Sequence, residues 1–104
     1  MKNKEWEYDK SVPMKELVKD KEWQKVRKKL LGNWKKQPEW CVNQLENYLG
    51  NIKNTPFKKL RIVMNYLTGT AFRMGKISHP KITTLRKKIS VEIKRRKIYK
   101  EKNS

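Results

Sequence analysis

The side chains that most often carry out chemistry are scarce in this sequence. His79 is the only histidine and Cys41 the only cysteine. An imidazole acid or base needs a second group within hydrogen-bonding reach, and no partner for His79 is visible around Ser78-His79-Pro80. Cys41 falls on an apolar helical stripe, which makes it a small core residue rather than a nucleophile. No Cys/His cluster has metal-ligand spacing. Neither a G-x-x-x-x-G-K-[ST] phosphate loop nor a G-x-G-x-x-G turn occurs. The acids Glu5, Glu7, Asp9, Glu16, Asp20 and Glu22 are dense, but are expected to balance neighbouring lysines rather than hold a metal. A small basic ribonuclease using His79 with Arg, Lys and Tyr is the one enzyme reading. Such enzymes generally rest on a sheet, and the sequence offers at most one strand. The expectation is a non-enzymatic chain with no catalytic residues, no cofactor and no metal.

Binding chemistry is abundant instead. The chain has 104 residues and a formal net charge of +18, with 37% of its residues charged and 36% hydrophobic. Residues 1–52 carry 12 Lys/Arg against 8 Asp/Glu, whereas residues 53–104 carry 16 against 2. A net of +14 in one half looks like a binding face joined to a scaffold. Charge of that size repels itself unless a polyanion neutralises it. The single cysteine precludes an intramolecular disulfide and suits a reducing compartment. No apolar run approaches the roughly 18–20 residues that span a bilayer, and MKNKEWEYDK at the start lacks the apolar core of a signal peptide. A cytoplasmic, nucleoid-associated or viral protein is expected.

The sharpest local pattern is GKISHPKITTLRKK, residues 75–88. Ala71 and Gly75 stand four apart, Ile77 follows, Ser78 is a cap candidate, and Ile82 and Leu85 form a buried pair. The order resembles the helix-turn-helix arrangement of DNA readers, with one residue more between Gly75 and the buried pair. A helix starting at Ser78 or His79 points free N–H groups at its N-terminus, an anion site suited to phosphate. Lys81, Thr83 and Thr84 lie on its first turns. Arg86 suits a bidentate contact to guanine; Lys87 and Lys88 suit phosphates. Lys94, Arg95, Arg96 and Lys97 are expected to track the backbone further along, with Arg73 and Lys76 ahead of the turn. RNA or single strands would need exposed aromatic platforms. Trp23, Trp34 and Trp40 lie beside cations or on helical segments, but helical aromatics usually pack; Trp6 and Tyr8 sit in the charged N-terminal arm.

These residues must be positioned by helices. Ser11 can cap a short helix running to about Lys19, with Pro13 in its first turn. Asp20 offers a second start, and Trp23, Val26 and Leu30 recur at helical spacing before Gly32-Asn33. Residues 11–31 read as one helix or two. Pro38 opens the next, where Cys41, Val42, Leu45, Tyr48 and Leu49 form one stripe before Gly50. A third is expected to start near Thr55 as cap and Pro56. It carries Phe57, Leu60, Met64, Leu67, Ala71 and Met74 at spacings of three and four, with Gly69 marking a close approach or a bend. The fourth carries Ile82, Leu85, Ile89 and Ile93. Residues 89–93 also alternate with period two, so a strand competes there.

The expected architecture is all-α: a compact bundle of four or five helices spanning residues 11–99, with a charged arm at 1–10 and a frayed tail at 100–104. Its third helix is central and its fourth basic and partly projecting. The expected function is nucleic-acid binding, DNA ahead of RNA, through the residues named above. With about 6–10 phosphate contacts, affinity would fall about 10³–10⁵-fold between 50 and 200 mM salt. The rival is a small basic subunit, inhibitor or adaptor, viral in one version, that docks on a larger nucleoprotein complex or an acidic protein surface. A protein partner or homo-oligomer fits either reading; a membrane and a small-molecule substrate fit neither.

Overall fold

The chain is all-helical in a computed structural model that describes residues 8–102. Residues 1–7, with Trp6 and most of the expected N-terminal arm, and residues 103–104 lie outside the described residues. The elements are α1 (Met14–Leu17), α2 (Lys21–Leu30), α3 (Pro38–Leu49), a 3-10 turn (Ile52–Asn54), α4 (Phe57–Leu67), α5 (Thr70–Arg73) and α6 (Pro80–Lys102). The last helix, α6, is assigned as far as Lys102. Residues 89–93 are helical, so the spacing from Ile82 through Leu85 outweighs the local alternation.

Local chemistry sets the boundaries. The Asp20 carboxylate accepts from the N–H groups of Glu22 and Trp23 at 2.8 and 3.1 Å, capping α2 and dividing 11–31 into two helices. Pro13 precedes α1 and leaves only one turn before that cap. Leu30 to Asn33 form a type II turn, with φ +79° at Gly32 and Asn33 N–H donating to Leu30 O at 3.0 Å. Thr55 is not the cap of α4. Its buried hydroxyl lies 2.6 Å from Leu49 O and 2.7 Å from Asn51 O, so it ties the end of α3 to the 3-10 turn. Pro56 then precedes the first helical residue, Phe57.

The expected long third helix is two pieces. Thr68 Oγ1 donates to Asn65 O at 3.0 Å, ending α4, and Gly69 starts α5 from an extended conformation. A Cβ at Gly69 would stand 3.1 Å from Tyr66 O, so the bend favours a residue without one. Past the bend the apolar spacing no longer faces the core, and Met74 is 65% exposed.

One core joins these elements. Phe57, Leu60, Ile62, Val63 and Leu67 of α4 are buried at its centre, between the α3 stripe of Cys41, Val42, Leu45, Tyr48 and Leu49 and the Ile82, Leu85 and Ile89 face of α6. Tyr8 reaches in from the N-terminal segment, its ring 4.8 Å from that of Phe57. The acids of α2 are spent on α4: Asp20 pairs with Lys58 at 3.7 Å and Glu22 with Lys59 at 3.1 Å.

α6 is seated by a buried ion pair. Arg96 is 1% exposed and donates through Nε to Glu92 Oε2 at 2.7 Å. Its Nη2 reaches Ile52 O at 2.9 Å and Lys53 O at 3.3 Å in the 3-10 turn. Arg95 grips the same carboxylate with two hydrogen bonds, at 3.0 and 2.6 Å. Burial raises the Glu92 pKa, but the hydrogen bonds from Arg95 and Arg96 outweigh it and hold the carboxyl below its usual range. Its stabilisation is present above the unfolded-chain value of about 4.3 and is lost as pH falls through the lower folded value.

Glu92→Ala leaves a buried guanidinium without its carboxylate. Urea denaturation is expected to show a loss of about 3–5 kcal/mol at neutral pH, shrinking as the pH drops below about 4. A neutral-pH loss below about 1 kcal/mol would show that the pair does not seat α6.

Candidate nucleic-acid interface

At 100° per residue the outer surface of α6 divides into two stripes. The first runs Thr83, Lys87, Ser90, Lys94, Lys97, at steps of four and three. All but half-buried Ser90 are exposed, and Lys87, Lys94 and Lys97 have no ion pair among the described residues. The second runs Lys81, Thr84, Lys88, Val91, Arg95, Ile98. Much of its polar capacity is engaged. Lys81 pairs with Glu39 of α3, whose carboxyl that hydrogen bond and charge hold below its usual range. Thr84 Oγ1 donates to Pro80 O at 3.1 Å, and Arg95 is held by Glu92. Val91 and Ile98 are 66% and 54% exposed.

The expected cations thus separate by environment. Arg96 is the clear correction: it lies in the interior, where no phosphate can reach it, because Glu92 sits one helical turn before it on the core-facing side. Arg86 is half-buried. Lys88 and Lys87 line a groove of about 670 Å3 between α6, the end of α3 and the 3-10 turn. Lys53 lines the same groove from the facing turn, as do the acids Glu46 and Glu92, the latter already engaged by Arg95 and Arg96. Sequence reasoning missed Lys53, since no periodicity connects it to α6.

The turn before α6 is closed by backbone hydrogen bonds. Lys76 N–H donates to Ala71 O at 2.9 Å and Gly75 N–H to Phe72 O at 3.2 Å, a Schellman closure with Gly75 at φ +75°. Arg73 and Lys76 are exposed on this connection. Helix, turn and helix follow in the expected order, but α5 is a single turn and residues 74–79 make a longer link than the three or four residues of the motif. His79, not Ser78, caps α6: its Nδ1 accepts from Lys81 N–H at 3.1 Å. That role occupies one ring nitrogen with a structural bond.

Trp23 and Trp34 are buried and Trp40 is half-buried, so none stands out as an exposed platform for a strand of bases. Trp34 Nε1 donates to the Tyr66 hydroxyl at 2.6 Å. Cys41 is fully buried, and burial pushes its thiol up, away from thiolate chemistry. No three His, Cys, Asp or Glu side chains gather into a metal-binding group, and no helix is long and apolar enough to cross a membrane, among the described residues.

No protein-family model, curated protein or solved structure matches this chain.

If His79 is a cap, His79→Ala costs about 0.5–2 kcal/mol of stability, seen as a lower thermal midpoint with the helix content of the native state unchanged. His79→Asn, which keeps an acceptor, recovers most of it; equal loss in both variants would contradict the capping role.

Proposed function

We propose that this chain is a non-enzymatic nucleic-acid-binding protein, with DNA favoured over RNA, and that the outer face of α6 lies along the phosphate backbone. The observation that carries the reading is the first stripe of α6. Lys87, Lys94 and Lys97 have no carboxylate partner among the described residues, and Thr83 and Ser90 on the same face can hydrogen-bond a phosphate or a base edge. The chain half that holds them has a net charge of +14. Lys53 and Lys88 extend the surface across the groove, and Arg73 and Lys76 extend it past the N-terminus of α6. Burial of Trp23 and Trp34 favours a duplex over a single strand, which would need stacking platforms. Base reading is limited to the first turns of α6, around Thr83 and Arg86.

A second reading has its own observation. Val91 and Ile98 form an exposed apolar strip flanked by lysines. That is the surface an adaptor or inhibitor would offer to an acidic, amphipathic protein helix.

Fluorescence anisotropy separates the two. With about six phosphates engaged, affinity for duplex DNA falls about 10³-fold between roughly 50 and 200 mM salt. The triple variant Lys87→Gln, Lys94→Gln, Lys97→Gln flattens that dependence and weakens every sequence alike. A salt-independent affinity, or no binding to any oligonucleotide at low salt, refutes the nucleic-acid reading. A complex with an acidic protein that survives nuclease and is lost in Val91→Glu supports the second.

A further inference from the structure

A pocket of about 810 Å3 opens away from α6, between α2, the turn at residues 31–36, α4 and α5. None of the α6 stripe residues lines it. Its floor is aromatic. Trp23 and Trp34 are buried, Tyr66 and Phe72 half-buried, and the rings brace one another. Trp23 to Tyr66 is 5.3 Å between centroids, Trp34 to Phe72 5.1 Å and Tyr66 to Phe72 5.5 Å, all edge-on. Edge-on packing fixes each ring against the next, so the cavity is formed without a ligand. Its volume is within the range of about 300–1,000 Å3 typical of small-molecule sites.

The lip is unusual. Leu31 is 81% exposed, held out by the turn that Gly32 closes. A leucine so exposed beside a concave aromatic surface is apolar area that a ligand can cover.

The charged groups are one-sided. Arg27, Lys35 and Lys36 line the pocket, and no Asp or Glu does. None of these three cations has an ion pair among the described residues. The Tyr66 hydroxyl accepts from Trp34, and no acceptor among the described residues takes its own proton. Burial raises the phenol's pKa, so it stays a protonated donor at neutral pH. The pocket therefore presents an apolar body with donors and positive charge at its mouth.

We propose that this pocket binds an apolar carboxylate, alkyl or aryl, with its hydrocarbon on the rings and its carboxylate on the Tyr66 hydroxyl and Arg27, while Lys35 and Lys36 flank the entrance. A nucleotide fits less well. Its base carries polar edges around its rim, and the buried part of the lining is Trp23, Trp34 and Ile62. The site is independent of the α6 surface and adds a small-molecule ligand that the sequence pattern did not suggest.

The test is displacement of 8-anilinonaphthalene-1-sulfonate from the full-length chain by dodecanoate, 2-naphthoate, dodecanol and adenosine monophosphate. Dodecanoate or 2-naphthoate saturates at one per chain, and which of the two is tighter decides alkyl from aryl. Dodecanol binds about tenfold more weakly, the value of one charge-assisted hydrogen bond. Arg27→Gln with Lys35→Gln weakens the carboxylate by about tenfold and leaves dodecanol unchanged. Ala71→Trp fills the cavity and abolishes both. Leu31→Glu, at an exposed position that folding does not need, repels the carboxylate and guards against a misfolded Ala71→Trp. Lys87→Gln, Lys94→Gln, Lys97→Gln leaves carboxylate affinity unchanged, which separates this site from the polyanion surface. Loss in that triple variant equal to the loss in Arg27→Gln with Lys35→Gln would show unspecific attraction to a cationic protein and overturn the proposal. So would tighter binding of adenosine monophosphate than of either carboxylate, or no saturable binding at all.

Discussion

The seating of α6 depends on one carboxylate. Glu92 is the only acid between positions 47 and 100, in a stretch crowded with lysine and arginine. It is buried, and it receives both Arg95 and Arg96. A buried charge is tolerable only when paired and hydrogen-bonded. Arg96 meets that condition by also donating to the backbone of the 3-10 turn, which fixes the helix in rotation as well as in place. With Glu92 committed inward, Lys87, Lys94 and Lys97 on the outer face have no ion pair among the described residues.

Three other acids are committed in a matching way. Asp20 and Glu22 face the lysines of α4, and Glu39 meets Lys81 at the first turn of α6. Among the cations without an ion pair, two groups are set apart by their surroundings. One is the straight stripe on α6, where the chemistry is repeated lysine on a rigid rod. The other is the mouth of the aromatic pocket, where Arg27, Lys35 and Lys36 surround an apolar cavity. Repeated charge without a cavity suits a polymer; charge around a cavity suits a small amphiphile. Fold and charge placement together, rather than total charge, distinguish the two.

Much of the fold was legible because helix signals here are local. Asp20, Pro38, Gly50 and Gly75 act where their side chains, or the lack of one, decide the backbone. The stripes of α3, α4 and α6 follow from 3.6-residue periodicity. Other readings failed where a contact outside the pattern that suggested them decided the outcome. Thr55 looked like a cap, but the carbonyls of Leu49 and Asn51 claim its hydroxyl. The apolar spacing ran past Gly69, but Thr68 and Gly69 break the helix, and the phase is lost. Arg96 looked like its neighbours in a basic run; only its register with Ile89 and Glu92 put it in the core. Helical spacing from Ile89 could have flagged that, since positions 85, 89, 92 and 96 lie on one face. The aromatic pocket was not legible at all, because Trp23, Trp34, Tyr66 and Phe72 are brought together by tertiary packing alone.

The most direct measurement is residue-by-residue amide chemical-shift mapping as duplex DNA is titrated into the labelled protein at low ionic strength. The account predicts that the largest changes fall on Thr83, Lys87, Ser90, Lys94 and Lys97, with smaller ones at Lys53 and Lys76 and little at Arg95 or Arg96. Changes centred on α2 and the 31–36 turn, or spread evenly over every cationic surface, would contradict it.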